Sequence, residues 1–345
     1  MTTVLVTGAA GELGSRVVAA LCASPDVSRV VAVDRVRVAS GRQVSAVVLD
    51  VETQREQLTA SAAEAEVVVH LAWTDPPEHG ADPNRAVLDS VLHATAAAGV
   101  EHFVLVSSAT VYGAWANAVV PVPEVTALRP NPTFTYATVK AEHERVVGLW
   151  RKDEGVGVTV LRPTAAVAEQ TMSWLGNAIM NAAAIRADVA DPPTQFLHVD
   201  DLASAVVTAV EQRLDGPYNV APDGWLSGRE LRALLGPRPR LRLPVPVAER
   251  VQAWLSRRQR RPPPVGLLPY TMYPWVVAND RLRKAGWVPT TSNAEAFVEA
   301  DQAPPWVALN AKQRQYASLG IVGAVVFGVV GLVGFAIRRR SRAAH

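Results

Sequence analysis

The stretch that decides the fold is VTGAAGELG, residues 6–14, in which Gly8, Gly11 and Gly14 recur every third residue. It follows a short Val-rich run and opens a segment with helical periodicity. Glycine lets the chain turn sharply at such a junction and lets the backbone approach a pyrophosphate, which then lies at the helix N-terminus. The glycines alone are a weak signal, but the strand before them and the helix after them strengthen it. The stretch therefore predicts the first βα turn of a dinucleotide-binding sheet.

Short apolar runs alternate with helical patterns over the first half of the chain. Continuous apolar strands that alternate with helices are typical of a parallel sheet covered on both faces, so we predict an α/β fold with a Rossmann-type doubly wound sheet. Residues 1–170 are assigned to this nucleotide-binding domain, and residues 171–300 to a smaller substrate lobe interleaved with it. The predicted strands are 4–8, 29–34, 46–50, 67–72, 102–108, 157–163 and 195–199, and the predicted helices include 13–23, 85–98 and 201–212.

Composition excludes several classes of protein. The chain has 345 residues, of which 49% are hydrophobic, so it can bury a large core. Its net charge of +2 does not indicate a nucleic-acid partner. The single cysteine, Cys22, excludes an intramolecular disulfide, and its apolar helical setting predicts a small core residue. The N-terminus lacks the basic and apolar regions of a signal peptide.

The C-terminal region contains an uncharged run of 21 residues, 317–337. As a helix this run would be roughly 30 Å long, which is the hydrocarbon thickness of a bilayer. We therefore predict a linker at 301–316, a transmembrane helix at 317–337 and a basic tail at 338–345. A face of small residues would let two such helices pair, so we also predict a homodimer through Gly320, Ala324 and Gly328.

Asp34 ends the second predicted strand, 20 residues after Gly14. A carboxylate at this position accepts hydrogen bonds from the adenosine ribose hydroxyls and would repel the 2′-phosphate of NADP. Arg35 and Arg37 follow closely and could restore NADP binding. The pattern predicts NAD as the cofactor, with NADP as the alternative.

Tyr136 and Lys140 lie four residues apart in a predicted helix, so both side chains share one face. A phenol titrates near 10, and a neighbouring ammonium favours its ionised form, which suits proton transfer near neutral pH. Ser108 follows the fifth predicted strand at the carboxyl edge, where doubly wound sheets place their reacting groups. Its hydroxyl can bond to a substrate oxygen.

In order and spacing these motifs resemble the extended short-chain dehydrogenase/reductases, also known as the NAD-dependent epimerase/dehydratase family. The resemblance extends over about residues 2–300. It also includes LDV at 49–51, HLA at 70–72, LRP at 161–163, FLHVDDLA at 196–203 and AGWVP at 285–289.

The resemblance implies a role for each matching residue. Ser108 resembles the serine that binds the reacting oxygen, Tyr136 the general acid/base, and Lys140 the residue that holds the nicotinamide ribose and tunes the tyrosine. The cofactor-binding set implied in the same way is Gly8, Gly11, Glu12, Leu13, Gly14, Asp34, Asp50, Val51, Leu71, Ala72, Asn84, Tyr136, Lys140 and Pro163. Within it, Asp50 and Val51 would flank the adenine, and Asn84 and Pro163 would lie near the nicotinamide.

The sequence also departs from the family pattern. Ala109 and Thr110 stand where sugar-nucleotide dehydratases carry an Asp-Glu pair, so dehydration is disfavoured. No arginine precedes FLHV, where the family often uses one to grip a diphosphate, although Arg186 could replace it. His70, His102 and His198 lie at predicted strand edges, and no pair has metal-ligand spacing on a shared face, so no metal site is predicted. Asp200 and Asp201 are predicted to cap a helix that begins at Leu202.

These observations predict an enzyme that transfers hydride at a secondary alcohol or ketone of a small sugar-derived or lipid-linked molecule. An epimerase and a dehydrogenase remain as alternatives. A non-enzymatic NAD-sensing scaffold at the membrane is the alternative from another class. The four arginines of the tail favour a cytoplasmic tail, whereas the absent export signal favours a cytoplasmic catalytic domain. We expect a membrane-anchored protein with its catalytic domain in the cytoplasm.

Overall fold

A computed structural model describes residues 1–74, 82–169, 192–235 and 266–300, with short pieces at 171–172, 175–176, 185–187, 241–243, 247 and 250. The strands are β1 (Thr2–Thr7), β2 (Val27–Asp34), β3 (Val44–Val48), β4 (Val67–His70), β5 (His102–Val106), β6 (Gly157–Pro163), β7 (Ala165–Ala168), β8 (Thr171–Met172), β9 (Ile185–Ala187), β10 (Phe196–His198), β11 (Gly216–Val220) and β12 (Leu241–Leu243). The helices are α1 (Glu12–Ala23), α2 (Arg55–Ala62), α3 (Pro83–Ala97), α4 (Thr135–Glu154), α5 (Val199–Glu211), α6 (Gly228–Leu235), α7 (Pro269–Met272), α8 (Asp280–Lys284) and α9 (Asn293–Ala300).

The main sheet has seven parallel strands in the order β11-β6-β5-β4-β1-β2-β3. The strand order reverses between β1 and β4, as in a doubly wound sheet, and ligands bind such sheets outside the carboxyl ends of the strands at that point. The predicted Rossmann-type fold is therefore confirmed. Most predicted elements shift by only one or two residues at their ends.

Helices cover both faces of the sheet, which explains why its strands are apolar on both sides. Successive side chains of a strand point to opposite faces. Val4 and Val6 of β1 accordingly belong to the core under α1 and α5, whereas Leu5 belongs to the core under α2, α3 and α4. The same alternation along β2 and β4 builds two apolar layers that hold the sheet in place.

The second half of the chain returns to the first. β11 pairs with β6 and forms one edge of the main sheet. β10 pairs with β7 in a smaller sheet, and α5 leads from β10 to pack against α1. Three elements that follow residue 170 therefore rest directly on the nucleotide-binding half.

The predicted cap of α5 is wrong. The helix begins at Val199, and the ring of His198 caps it by accepting a hydrogen bond from the Asp200 amide at 3.3 Å. Asp201 is buried and accepts hydrogen bonds from the amides of Thr290 and Thr291 at 2.8 and 3.0 Å. Its carboxylate thus ties α5 to the segment after AGWVP, whereas a helix-capping role was expected.

Within the described ranges, no helix combines the length and the apolar character needed to cross a bilayer. The predicted linker at 301–316, transmembrane helix at 317–337 and basic tail at 338–345 lie outside the described residues. Membrane attachment and the homodimer stay predictions.

Candidate active site

The glycine-rich turn joins β1 to α1 and packs against the backbone that follows β4. Gly8 has a φ of +72°, and a Cβ added there would lie 2.6 Å from the Ala72 amide nitrogen. A Cβ at Gly14 would overlap the Gly8 carbonyl oxygen. A Cβ at Gly11, the N-cap of α1, would meet only that carbonyl oxygen, at 3.3 Å. The space above this turn and the amides that begin α1 fit a pyrophosphate.

Asp34 lies at the end of β2, beside the glycine-rich turn. Its carboxylate accepts hydrogen bonds from the amides of Ala10 at 2.9 Å and Val36 at 3.0 Å. Arg35 and Arg37 are exposed. A carboxylate fixed at this strand end suits the ribose of an adenosine and disfavours an added 2′-phosphate.

Asp50 and Val51 follow the edge strand β3. The Asp50 carboxylate accepts a hydrogen bond from the Glu52 amide at 2.9 Å, which closes a local turn. Val51 is buried in the core under α2 and α3. The structure does not bring either residue into the cleft described next.

A cleft of about 520 Å³ opens at the carboxyl ends of β4, β5 and β6, between the start of α1 and the start of α4. It brings together residues that are far apart in the sequence. The predicted site residues that line it are Glu12, Leu13, Leu71, Ala72, Ser108, Tyr136, Lys140 and Pro163.

Lys140 is buried on the cleft side of α4. Its ammonium donates a hydrogen bond to the Val106 carbonyl at 3.0 Å and lies 3.6 Å from the centre of the Trp73 ring. It lies 5.9 Å from the centre of the Tyr136 ring, one helical turn earlier. A cation at this position favours the phenolate form of the tyrosine.

Ser108 follows β5 and caps a single 3-10 turn, Ala109–Tyr112. Its oxygen accepts hydrogen bonds from the Thr110 amide at 3.2 Å and the Thr110 hydroxyl at 3.0 Å. Because both contacts use the oxygen as acceptor, its O–H is the group that can donate to a ligand in the cleft.

Asn84 does not line the cleft but fixes the loop that does. Its amide side chain accepts a hydrogen bond from the Thr74 amide at 2.7 Å and donates one to the Thr74 carbonyl at 2.8 Å. This pairing holds the loop after β4, including Trp73, against the first turn of α3.

Two cleft residues missed in the sequence carry buried polar atoms. Trp73 Nε1 and Thr164 Oγ1 are buried and have no hydrogen-bond partner among the described residues. Buried donors are nearly always satisfied in proteins, so a ligand bound in the cleft is a natural partner for both. Together with the glycine-rich turn, these atoms fit a nucleotide cofactor at this cleft.

Histidines also enter the site, although a plain strand-edge role was expected of His70 and no role was predicted for His143. His70 and His143 line the cleft, and the Trp73 ring packs edge-on against His143 with ring centres 5.7 Å apart. His143 stands three residues after Lys140, so the helical spacing of α4 was the signal that could have found it. In the described part of the chain, no group of three His, Cys, Asp or Glu side chains could hold a metal.

His70 is buried at the end of β4, with its Nδ1 2.8 Å from the Thr7 hydroxyl. Burial, helped by the positive charge of Lys140 and by His143, lowers the pKa of His70 to about 3. In the unfolded chain its pKa is near the ordinary value of 6.5, so the unfolded state binds a proton first as the pH falls. The contribution of neutral His70 to stability is therefore complete above a pH of about 6.5 and is lost between about 6.5 and 3.

We expect His70→Gln to reduce the loss of stability in mild acid. Between pH 7 and pH 5 the buried neutral histidine accounts for about 2 kcal/mol of the decrease in unfolding free energy. Urea denaturation of both proteins at the two pH values measures this difference. The exposed His93 provides the matched control, and His93→Gln should show the acid sensitivity of the unaltered protein. An unchanged pH dependence in His70→Gln would contradict the assignment.

Comparison with known proteins agrees with this geometry. The sequence profile of the NAD dependent epimerase/dehydratase family matches residues 4–221. The chain belongs to this family. Its membership confirms the predicted enzyme class and the predicted NAD cofactor, because the family is NAD dependent.

A 3-diazoavenalumate denitrifying reductase from a Streptomyces species is 32% identical to this chain over 324 residues. The alignment covers 83% of this chain and 96% of that protein. Among solved structures, the UDP-glucose 4-epimerase of Thermus thermophilus in complex with NAD is similar at 20% identity and a TM-score of 0.63. The alignment covers 86% of this chain and 97% of that one. The UDP-N-acetylglucosamine 4-epimerase of Methanobrevibacter ruminantium has 18% identity and a TM-score of 0.63, with 87% and 96% covered. At these identities the two structures show a common fold.

Proposed function

We propose that this protein is an NAD-dependent oxidoreductase or epimerase that acts on a secondary alcohol or ketone through Tyr136, Lys140 and Ser108. The observation that carries the proposal is that all three side chains line one cleft beside the glycine-rich turn. A pure NAD sensor would need the turn and Asp34 but not a phenol, an ammonium and a hydroxyl directed at one space.

In the proposed reaction, bound NAD supplies the group that accepts or returns a hydride. Tyr136 moves the proton of the substrate oxygen, and Ser108 holds that oxygen through its O–H. Lys140, anchored by the Val106 carbonyl, stabilises the phenolate of Tyr136 when the proton has left. The N-terminus of α1 and the Asp34 carboxylate would hold the pyrophosphate and the adenosine ribose.

Two substrate classes are supported by different observations. The two structural neighbours are named as enzymes that act on sugar nucleotides. In this chain the loop after β5 lacks the acid and base that dehydration of such a substrate needs. The substrate in the name of the 32% identical reductase is a diazo-substituted acid. The apolar side chains among the cleft residues, Leu105, Ala166, Val167, Leu175 and Leu202, suit a weakly polar substrate, and we therefore favour a reductase.

The test starts with the full chain, purified in mild detergent. Denaturation followed by chromatography measures the nicotinamide that the protein carries, and NADH absorbance then follows its oxidation with 3-diazoavenalumate. Conversion of UDP-glucose to UDP-galactose is measured in parallel. NADH consumption supports a reductase, with the reduction at the diazo group and not at a ketone, and sugar conversion with retained NAD supports the epimerase. A protein that arrives empty and binds neither NAD nor NADP would overturn the proposal.

A further inference from the structure

A buried Asp–His pair lies beside the proposed catalytic residues and has no role in the chemistry above. His143 Nε2 lies 2.7 Å from Asp82 Oδ2. The His143 side chain is only 2% exposed, whereas that of Asp82 is 20% exposed. The pair therefore connects a ring that lines the cleft to a carboxylate that reaches solvent.

The orientation of Asp82 is fixed by a second contact. It is the N-cap of α3, and its Oδ1 accepts a hydrogen bond from the Asn84 amide at 2.9 Å. Oδ2 is left to face His143. Asn84 in turn holds the loop of Trp73 through Thr74. The Asp82 helix cap, the loop with Trp73 and the His143 ring are therefore held together.

The surroundings of His143 favour its neutral form. Burial lowers its pKa below the ordinary value, against the opposing hydrogen bond and charge of Asp82, and the charges of Lys140 and Arg85 lower it further. A neutral ring that donates Nε2–H to a carboxylate keeps the lone pair on Nδ1. This is the form that can accept a proton on one nitrogen and release one from the other.

The pair lies close to the proposed proton donor. Trp73 contacts three side chains of α4, with its ring centre 5.6 Å from that of Tyr136, 5.7 Å from that of His143 and 3.6 Å from the Lys140 ammonium. All four residues line the same cleft, so water in the cleft can bridge the two titratable rings.

We propose that His143 and Asp82 carry protons between the Tyr136–Lys140 end of the cleft and solvent. The inference rests on the proposed role of Tyr136. During reduction of a ketone, hydride from NADH forms the new C–H bond, and the Tyr136 O–H bond breaks as its proton passes to the substrate oxygen. A solvent proton taken up by Asp82 then passes to His143 Nε2, while the proton on Nδ1 passes through water to the phenolate and restores the phenol. This inward transfer uses the Nδ1–H tautomer, and the Nε2–H tautomer described above carries protons outward during oxidation of an alcohol.

This route distinguishes the two reaction types. A reductase consumes one hydride and one solvent proton in each turnover. An epimerase returns both the hydride and the proton to the same molecule and needs no path to solvent. A dedicated path therefore assigns net reduction or oxidation to this protein.

The relay can be tested without the natural substrate. Positive charge on bound NAD favours the Tyr136 phenolate, so mixing the full chain with NAD should release a proton that a pH indicator detects in stopped flow. His143→Gln keeps a donor for Asp82 but cannot relay protons. We expect at least a tenfold slower release with unchanged amplitude and NAD affinity, and restoration of the rate by added imidazole. Asp82→Asn, which keeps the helix cap, should also slow the release.

The outcomes separate this inference from the proposed function. His143→Gln releasing protons at the unaltered rate would overturn the relay while leaving Tyr136 in place. A Tyr136→Phe protein that still releases the proton, or an unaltered protein that releases none, would overturn the role of Tyr136 and the relay with it. His93→Gln should behave as the unaltered protein does.

Discussion

A protein with phenylalanine in place of Tyr136 is expected to turn over its substrate at least about a hundredfold more slowly than the unaltered chain. The substitution removes only the hydroxyl and keeps the ring that packs against Trp73 and Phe134. NAD affinity and folding stability should therefore change little, and the loss should lie in kcat. Steady-state rates with the substrate identified by the NADH or UDP-sugar assay measure the effect, and a titration with NAD measures the affinity.

Tyr218→Phe is the matched control for this experiment. Tyr218 lies on β11, away from the cleft residues, and its ring packs 4.2 Å from the Arg281 guanidinium. Removal of its hydroxyl should leave kcat within about twofold of the unaltered value, as expected for a group without a catalytic role. Full activity in Tyr136→Phe would remove the general acid/base from the proposal and would favour the scaffold alternative.

Arg162→Met is expected to destabilise the fold by about 3–5 kcal/mol, because it breaks a buried ion pair. Arg162 donates to Glu144 at 2.6 Å and to the Tyr112 hydroxyl at 2.6 Å. The two charged side chains are 7% and 5% exposed. Without the guanidinium, the Glu144 carboxylate would stay buried with the Ser107 hydroxyl, which donates to it at 2.5 Å.

Urea denaturation at pH 7 measures this loss. Arg145→Met on α4, next to Glu144, is the control, because Arg145 pairs with Glu142 at the surface, where the side chains are 59% and 44% exposed. Such a pair contributes at most about 1 kcal/mol. The double variant Arg162→Met/Glu144→Leu should recover much of the stability, since it removes both buried charges. Equal losses in Arg162→Met and Arg145→Met would show that the network contributes no more than a surface pair.

The sequence predicts the sheet and the glycine-rich turn well because both depend on local patterns. Val-rich runs separated by helices indicate strands that are buried on both faces of the sheet. Gly8 is required because a Cβ there would contact the backbone at Ala72. Tyr136 and Lys140 could be paired from spacing alone. These features are properties of one strand, one turn or one helix.

Other features depend on contacts between distant segments. Asn84 holds the loop after β4 that carries Trp73 to Lys140, and Asp82 meets His143 across a separation of 61 residues. The cap of α5 was wrongly assigned for a similar reason, since Asp201 was drawn inward by the amides at Thr290 and Thr291. Composition and periodicity carry no information on such pairings.

The position of β11 also limits how proteins of this architecture can be recombined. A gene fragment ending at residue 170 would encode β1 to β7 but would leave the β6 edge without its neighbour β11. An open apolar edge of this kind pairs readily with other chains, so such a fragment is prone to aggregate. New specificities in this scaffold are therefore more accessible by exchanging the loop that follows β5 than by transplanting the second half as a separate piece.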